Sequence, residues 1–177
     1  MTLELPTSLA LPILGVFGPG RSTPEEDQVA ASVGALAANA GWVVLTGGGP
    51  GVMAAASRGA AEAGGLTVAI LPTARPEAGY PNPWVKIPIF TDAGMARNAF
   101  NVLSSSLCVA IGGGPGTLSE IALAMKSGAP VWTWRSWHAA PARETDDWPK
   151  PRAFEASELL LSRSEERRVG KECATGC

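Results

Sequence analysis

The pentapeptide Gly-Gly-Gly-Pro-Gly occurs twice in this chain, at positions 47–51 and 112–116, each time after an apolar run and before a helical pattern. A strand that ends in consecutive glycines lets backbone N–H groups approach an anion with no Cβ in the way, and the helix that follows points the positive end of its dipole at it. Proline in fourth place suits the first helical position, which needs no N–H and favours a fixed φ. The repeat therefore predicts two strand–elbow–helix units, and a ligand with a phosphate at one end or with two anionic groups.

The rest of the chain supplies the frame for those units. Residues 11–17 read as a buried strand, 18–22 as the loop that leaves it, and Thr23-Pro24-Glu25-Glu26 as the capped start of a helix reaching about Asn39. A short strand at 42–45, an alanine-rich helix at 51–63 and a third strand at 66–71 follow. Five prolines then fall in residues 72–88, which argues for an irregular segment with one extended piece near 84–87. Beyond it the pattern predicts a helix at 93–105 capped by Thr91 or Asp92, a strand at 107–111, a helix at 117–126, a strand at 129–134 and a short helix at 154–161. This alternation predicts one Rossmann-like α/β domain over residues 1–161, a doubly wound parallel sheet with ligand loops at the carboxyl ends of its strands.

With 46% hydrophobic residues among 177 and a formal net charge of −2, the chain can bury one core and offers no basic surface for nucleic acid. The first 14 residues hold no lysine or arginine and are broken by Pro6 and Pro12, so they make a poor signal peptide, and no run is long enough for a membrane span. Cys108, Cys173 and Cys177 form no disulfide framework, which places the chain in the reducing cytoplasm. His138 is the single histidine, so no metal site is expected. Residues 163–177 are almost wholly polar with seven charges; SEERRVGKEC within them resembles translated adaptor or vector sequence. The segment 162–177 is therefore set aside as a charged tail, expected to be disordered.

Glycine elbows serve several kinds of nucleotide site. Residues 49–54 match the dinucleotide fingerprint, yet about 20 residues on, where an acidic residue should take the ribose, the chain reads Ala69-Ile70-Leu71-Pro72-Thr73. Neither elbow continues into Gly-Lys-Ser/Thr, which removes the P-loop enzymes. The second elbow carries Thr117 and Glu120 three positions apart at the opening of a helix. Two readings stay open there: a capping box, or a hydroxyl for phosphate beside a carboxylate for the sugar. Trp132, Trp134 and Trp137 could stack on a base or simply pack.

At these residues the chain resembles the LOG ("Lonely Guy") superfamily. The second elbow is similar to its Pro-Gly-Gly-x-Gly-Thr-x-x-Glu signature, with Gly112 in place of the proline; Gly94-Met95-Ala96-Arg97-Asn98 is similar to its arginine-bearing helix, and Thr46 to Met53 to its other glycine turn. The Gly-Gly-Gly variant and the Arg-Asn pair look closest to the branch that includes molybdenum-cofactor carriers. The resemblance implies Arg97 and Glu120 as the catalytic pair of a phosphoribohydrolase that frees a base from a nucleoside 5′-monophosphate. It implies a phosphate and nucleotide site made of Gly18, Arg21, Ser22, Gly47, Gly48, Gly49, Gly51, Met53, Asn98, Gly113, Gly114, Gly116 and Thr117. No cofactor is implied. The alternative it carries is a non-catalytic carrier or sensor of a nucleotide-like ligand such as the molybdenum cofactor. Apolar residues on more than one side of the helices at 93–105 and 117–126 add the expectation of a homodimer or homotetramer.

Overall fold

Thr23 begins the first helix by the reciprocal capping its sequence predicts: its side chain accepts from Glu26 N–H at 3.2 Å, and the Glu26 carboxylate accepts from Thr23 N–H at 2.7 Å. The computed structural model describes residues 11–137 and 150–154. In chain order the elements are β1 (Ile13–Phe17), α1 (Pro24–Asn39), β2 (Val43–Thr46), α2 (Val52–Glu62), β3 (Thr67–Leu71), β4 (Ile87–Phe90), a 3₁₀ turn (Gly94–Ala96), α3 (Arg97–Leu103), β5 (Leu107–Ile111), α4 (Pro115–Ser127), β6 (Val131–Trp134) and β7 (Arg152–Ala153). The strands form one sheet in the order β4-β3-β2-β1-β5-β6-β7, and every pairing is parallel. This is the Rossmann-like α/β class expected.

Two apolar layers cover the sheet. Val29, Val33 and Ala37 of α1 and Val52, Ala56 and Ala60 of α2 pack with Val16, Val44 and Trp134 on one face. Val102 of α3 and Ile121, Ala124 and Met125 of α4 pack with Phe17, Cys108 and Ala110 on the other. Strands buried on both faces need no polar alternation, which is why VVLT and LCVAI read as continuous apolar runs.

Several boundaries move. The extended piece expected at 84–87 lies at Ile87–Phe90, an edge strand where the missing N–H of Pro88 breaks no inner ladder. The helix expected from 93 opens as a 3₁₀ turn and becomes α-helical only over Arg97–Leu103. Neither expected cap serves it: Thr91 donates to the Leu71 carbonyl at 2.6 Å, and Asp92 sits at a φ of 52°. Phe154, expected to start a helix, instead follows the unforeseen β7 and donates its N–H to Thr133 O at 3.0 Å; residues 155–161, like His138 and the tail, lie outside the described residues.

The α1–α2 contact is made close by glycine. A Cβ at Gly34 would strike the Ala56 carbonyl, and one at Gly59 the Ala31 carbonyl. In an open helix Gly→Ala gains about 1 kcal/mol. At Gly34 overpacking of about 1–3 kcal/mol should outweigh that gain, so Gly34→Ala is expected to lower stability in urea denaturation, and a rise in the midpoint would show that the two helices separate freely.

Candidate functional site

Strand β5 ends at Ile111 and the chain turns through Gly112 at a φ of 62°, inaccessible to the proline of the signature it resembles. Glycine is needed there also because a side chain would meet the Glu26 carboxylate. The Gly112 N–H returns to the sheet through Trp134 O at 3.0 Å. Gly114 is the N-cap of α4, Pro115 its first residue, and Leu118 makes the first helical bond, to Gly114 O at 3.0 Å. Among the described residues the N–H groups of Gly113, Gly114, Gly116 and Thr117 have no partner. Unpaired N–H groups at a helix start carry partial positive charge. Around Gly114 and Gly116 an added Cβ would enter open space.

Thr117 is the third helical residue and not the cap, so Thr117-x-x-Glu120 is no capping box. Glu120 points its chemistry inward: the residue is 6% exposed, and Asn101 Nδ2 donates to its Oε1 at 3.1 Å. Burial pushes the Glu120 carboxyl up to about 7, against the opposing pull of the Asn101 hydrogen bond and the Arg97 charge. Asn101 is fully buried, one turn after Arg97 on α3, and its Oδ1 has no partner among the described residues.

Arg97 reaches across to the first elbow. Its guanidinium lies against Gly47, where any Cβ would overlap it, and its Nη1 is buried with no partner among the described residues. Asn98 is buried and donates to Ser119 Oγ at 2.7 Å, while that hydroxyl donates to Gly116 O at 2.7 Å. The pair therefore braces the opening turn of α4 from α3.

The first elbow is bonded more fully within the chain. Gly48 N–H donates to Thr46 Oγ1 at 3.1 Å and Val52 N–H to Pro19 O at 3.2 Å. Asn82, from the proline-rich segment, donates its N–H to Gly48 O at 2.7 Å and its Nδ2 to Gly49 O at 3.1 Å. Gly48 and Gly51 sit at φ of 74° and 66°, and a Cβ at Gly49 would meet Met53 and Tyr80. At the end of β1, Gly18 leaves room for Val52, Arg21 is exposed, and Ser22 Oγ donates to Asp27.

The structure thus brings Arg97, Asn98, Glu120 and the second elbow together, with Gly47 beneath the guanidinium. Sequence reasoning missed Asn82, Asn101 and Ser119. Only Asn101 left a signal, an asparagine at helical spacing from Arg97 where an apolar residue would be usual. Among the described residues no helix is long and apolar enough to cross a membrane.

The family described as "SLOG cluster4 family" matches residues 11–164. The structure is similar to that of the molybdenum cofactor binding protein from Rippkaea orientalis, at 38% identity and a TM-score of 0.76, covering 90% of this chain and 98% of that one. It is also similar to the molybdenum cofactor carrier protein of Chlamydomonas reinhardtii, at 42% identity and a TM-score of 0.64, covering 72% of this chain and 78% of that one. An uncharacterized protein of Archaeoglobus fulgidus is 45% identical over 118 residues, 67% of this chain and 76% of its own.

Glu120 sets a pH dependence. Its folded value of about 7 lies above the ordinary 4.5, so folding favours the protonated form; the stability this contributes is full below 4.5 and lost as pH rises toward 7. Urea midpoints should fall between pH 5 and 8 in the wild type, and Glu120→Gln should flatten that fall; an equal fall in both would assign it to other groups.

Proposed function

The chain belongs to the SLOG cluster4 family, and from that premise we propose that it holds a nucleotide-like ligand by its phosphate on the second elbow, as a carrier, releasing it unchanged. One observation carries the reading: four N–H groups without a partner among the described residues lie around Gly114 and Gly116, two glycines that no described neighbour requires. Gly114 lies at a φ of −125°, open to any residue, and neither Gly114 nor Gly116 has a neighbour where a Cβ would stand. Space left there serves something outside the chain, and amides at a helix start select an anion. The unpartnered Arg97 Nη1 supplies a full positive charge nearby. The names of the relatives from Rippkaea and Chlamydomonas support a phosphorylated pterin as the ligand.

A second reading is favoured by Glu120, one turn beyond Thr117 and within the field of Arg97. In it, water adds to the anomeric carbon of a nucleoside 5′-monophosphate as the bond to the base breaks, giving free base and ribose 5-phosphate. Glu120 would stabilise the cationic sugar and take the proton from water. A carboxyl brought to about 7 by burial is placed to exchange a proton with water near neutral pH, which suits this second reading. In either reading the chain works in the cytoplasm on a small molecule and needs no cofactor.

Calorimetric titration with AMP tests the phosphate site: Gly116→Val should reduce affinity by 10-fold or more while leaving the fold intact, since its side chain meets only open space. Unchanged affinity in the folded variant would remove the elbow from the site. Chromatography of the same mixtures separates the readings, because released base that disappears in Glu120→Gln would establish hydrolysis.

A second copy of the chain is the proposed partner of α3. Met95 is 81% exposed and Leu103 70%, with Phe100 also exposed beside them, and Ile87 and Ile89 are exposed on the edge strand β4. Apolar surface of this kind is costly in water and normally covered by another subunit. Light scattering at micromolar concentration should give a dimer or tetramer, and Leu103→Glu should shift it toward the 18.2 kDa single chain; a wild-type mass of one chain would overturn this.

A further inference from the structure

Strand order lays the site out as a line. Arg97 and Gly47 stand at the end of β2, the open elbow at the end of β5, and Arg135, Ser136 and Trp137 at the end of β6. Neighbouring strands are spaced about 4.8 Å apart, so β2 to β6 spans roughly 14 Å. The elbow therefore has a flank on each side, and Arg97 lies on only one of them.

The other flank is a groove of about 360 Å³ lined by Gly113, Arg135, Ser136 and Trp137. Trp137 is 44% exposed, whereas Trp134 is buried in the core and Trp132 packs against it. Its indole is nonetheless held, because Nε1 donates to Gly114 O at 3.2 Å, a carbonyl of the elbow itself. Gly113 permits that approach, since a Cβ there would strike the indole edge. An exposed ring already fixed in orientation loses little freedom when another ring stacks on it. Ser136 Oγ is buried and has no partner among the described residues, an unmet hydrogen-bonding group at the same groove. Arg135 is not a free cation: it pairs with Glu25 at 2.6 Å and lies 4.8 Å from the Trp134 ring centroid.

We propose that this groove is a second subsite, and that the ligand continues past its phosphate as a dinucleotide-type, diphosphate-bridged molecule. Its far aromatic ring stacks on Trp137, and a polar edge of that ring bonds the Ser136 hydroxyl. The inference rests on the phosphate reading of the second elbow.

Titrations with AMP and with diadenosine diphosphate test it. Wild-type protein should bind the dinucleotide about 10-fold more tightly than AMP, the scale of one added stacking contact. Trp137→Ala should abolish that difference and leave AMP affinity within about twofold of wild type; Trp137→Phe, which keeps a ring, should retain most of it. Ser136→Ala should weaken the dinucleotide alone, by about fivefold for one lost hydrogen bond. A dinucleotide no tighter than AMP, or a Trp137→Ala variant that weakens both equally, would overturn the subsite and leave the elbow standing. Binding of both ligands that ignores Gly116→Val would instead overturn the phosphate reading, and wild-type protein that binds neither would overturn both.

Discussion

The parallel ladder of β1 between β2 and β5 is the constraint on which the molecule depends. From β1 the chain winds outward through β2, β3 and β4, then returns to lay β5 against the other side of β1. Where the winding reverses, the loops after β1 and β5 diverge to opposite faces and leave a crevice at the carboxyl edge. All the polar groups of the site follow from that geometry. Arg97, at the start of α3, can meet Gly47, 50 positions earlier in the chain, only because β2 and β5 both neighbour β1.

Around the crevice, positive partial charge is left unpaired among the described residues and the Glu120 carboxylate is buried. The amides of the second elbow have no partner among the described residues, while Glu120 is buried and held by Asn101. A fully ionised carboxylate beside a bound phosphate would repel it. Burial that brings Glu120 to half protonation near pH 7 reduces the repulsion, and the guanidinium of Arg97 offsets what is left. The Asn98–Ser119–Gly116 chain of hydrogen bonds ties the elbow to α3, the helix that carries Arg97.

The two elbows share five residues and differ in what surrounds them. Asn82, Pro19 and Thr46 occupy much of the backbone of the first elbow, and its central glycines are buried. Around the second, among the described residues, the Trp137 indole and the Ser119 hydroxyl reach the carbonyls of Gly114 and Gly116, and no atom stands where a Cβ on either would. One elbow thereby supports the arginine and the other keeps its amides unpaired among the described residues.

Much of this was legible in the residues taken alone. Apolar runs of strand length, the Thr23–Glu26 capping box and the glycines that stop helices are local signals, set by backbone sterics and by hydrogen bonds within a few residues. They determined the order of elements, the parallel α/β class and the presence of strand–elbow–helix units. What they could not carry was any contact between distant segments. That the first elbow is filled by Asn82, that Arg97 lies over Gly47, that Asn101 holds Glu120, and that Trp137 docks on Gly114 all depend on which strands become neighbours. The short strands β4 and β7 are of the same kind, since an edge strand with two or four residues exists only where a partner already presents its open ladder. Local propensity therefore wrote the elements, and tertiary packing alone decided which of two identical glycine turns remained open, because burial of a backbone amide is a property of its neighbours in space.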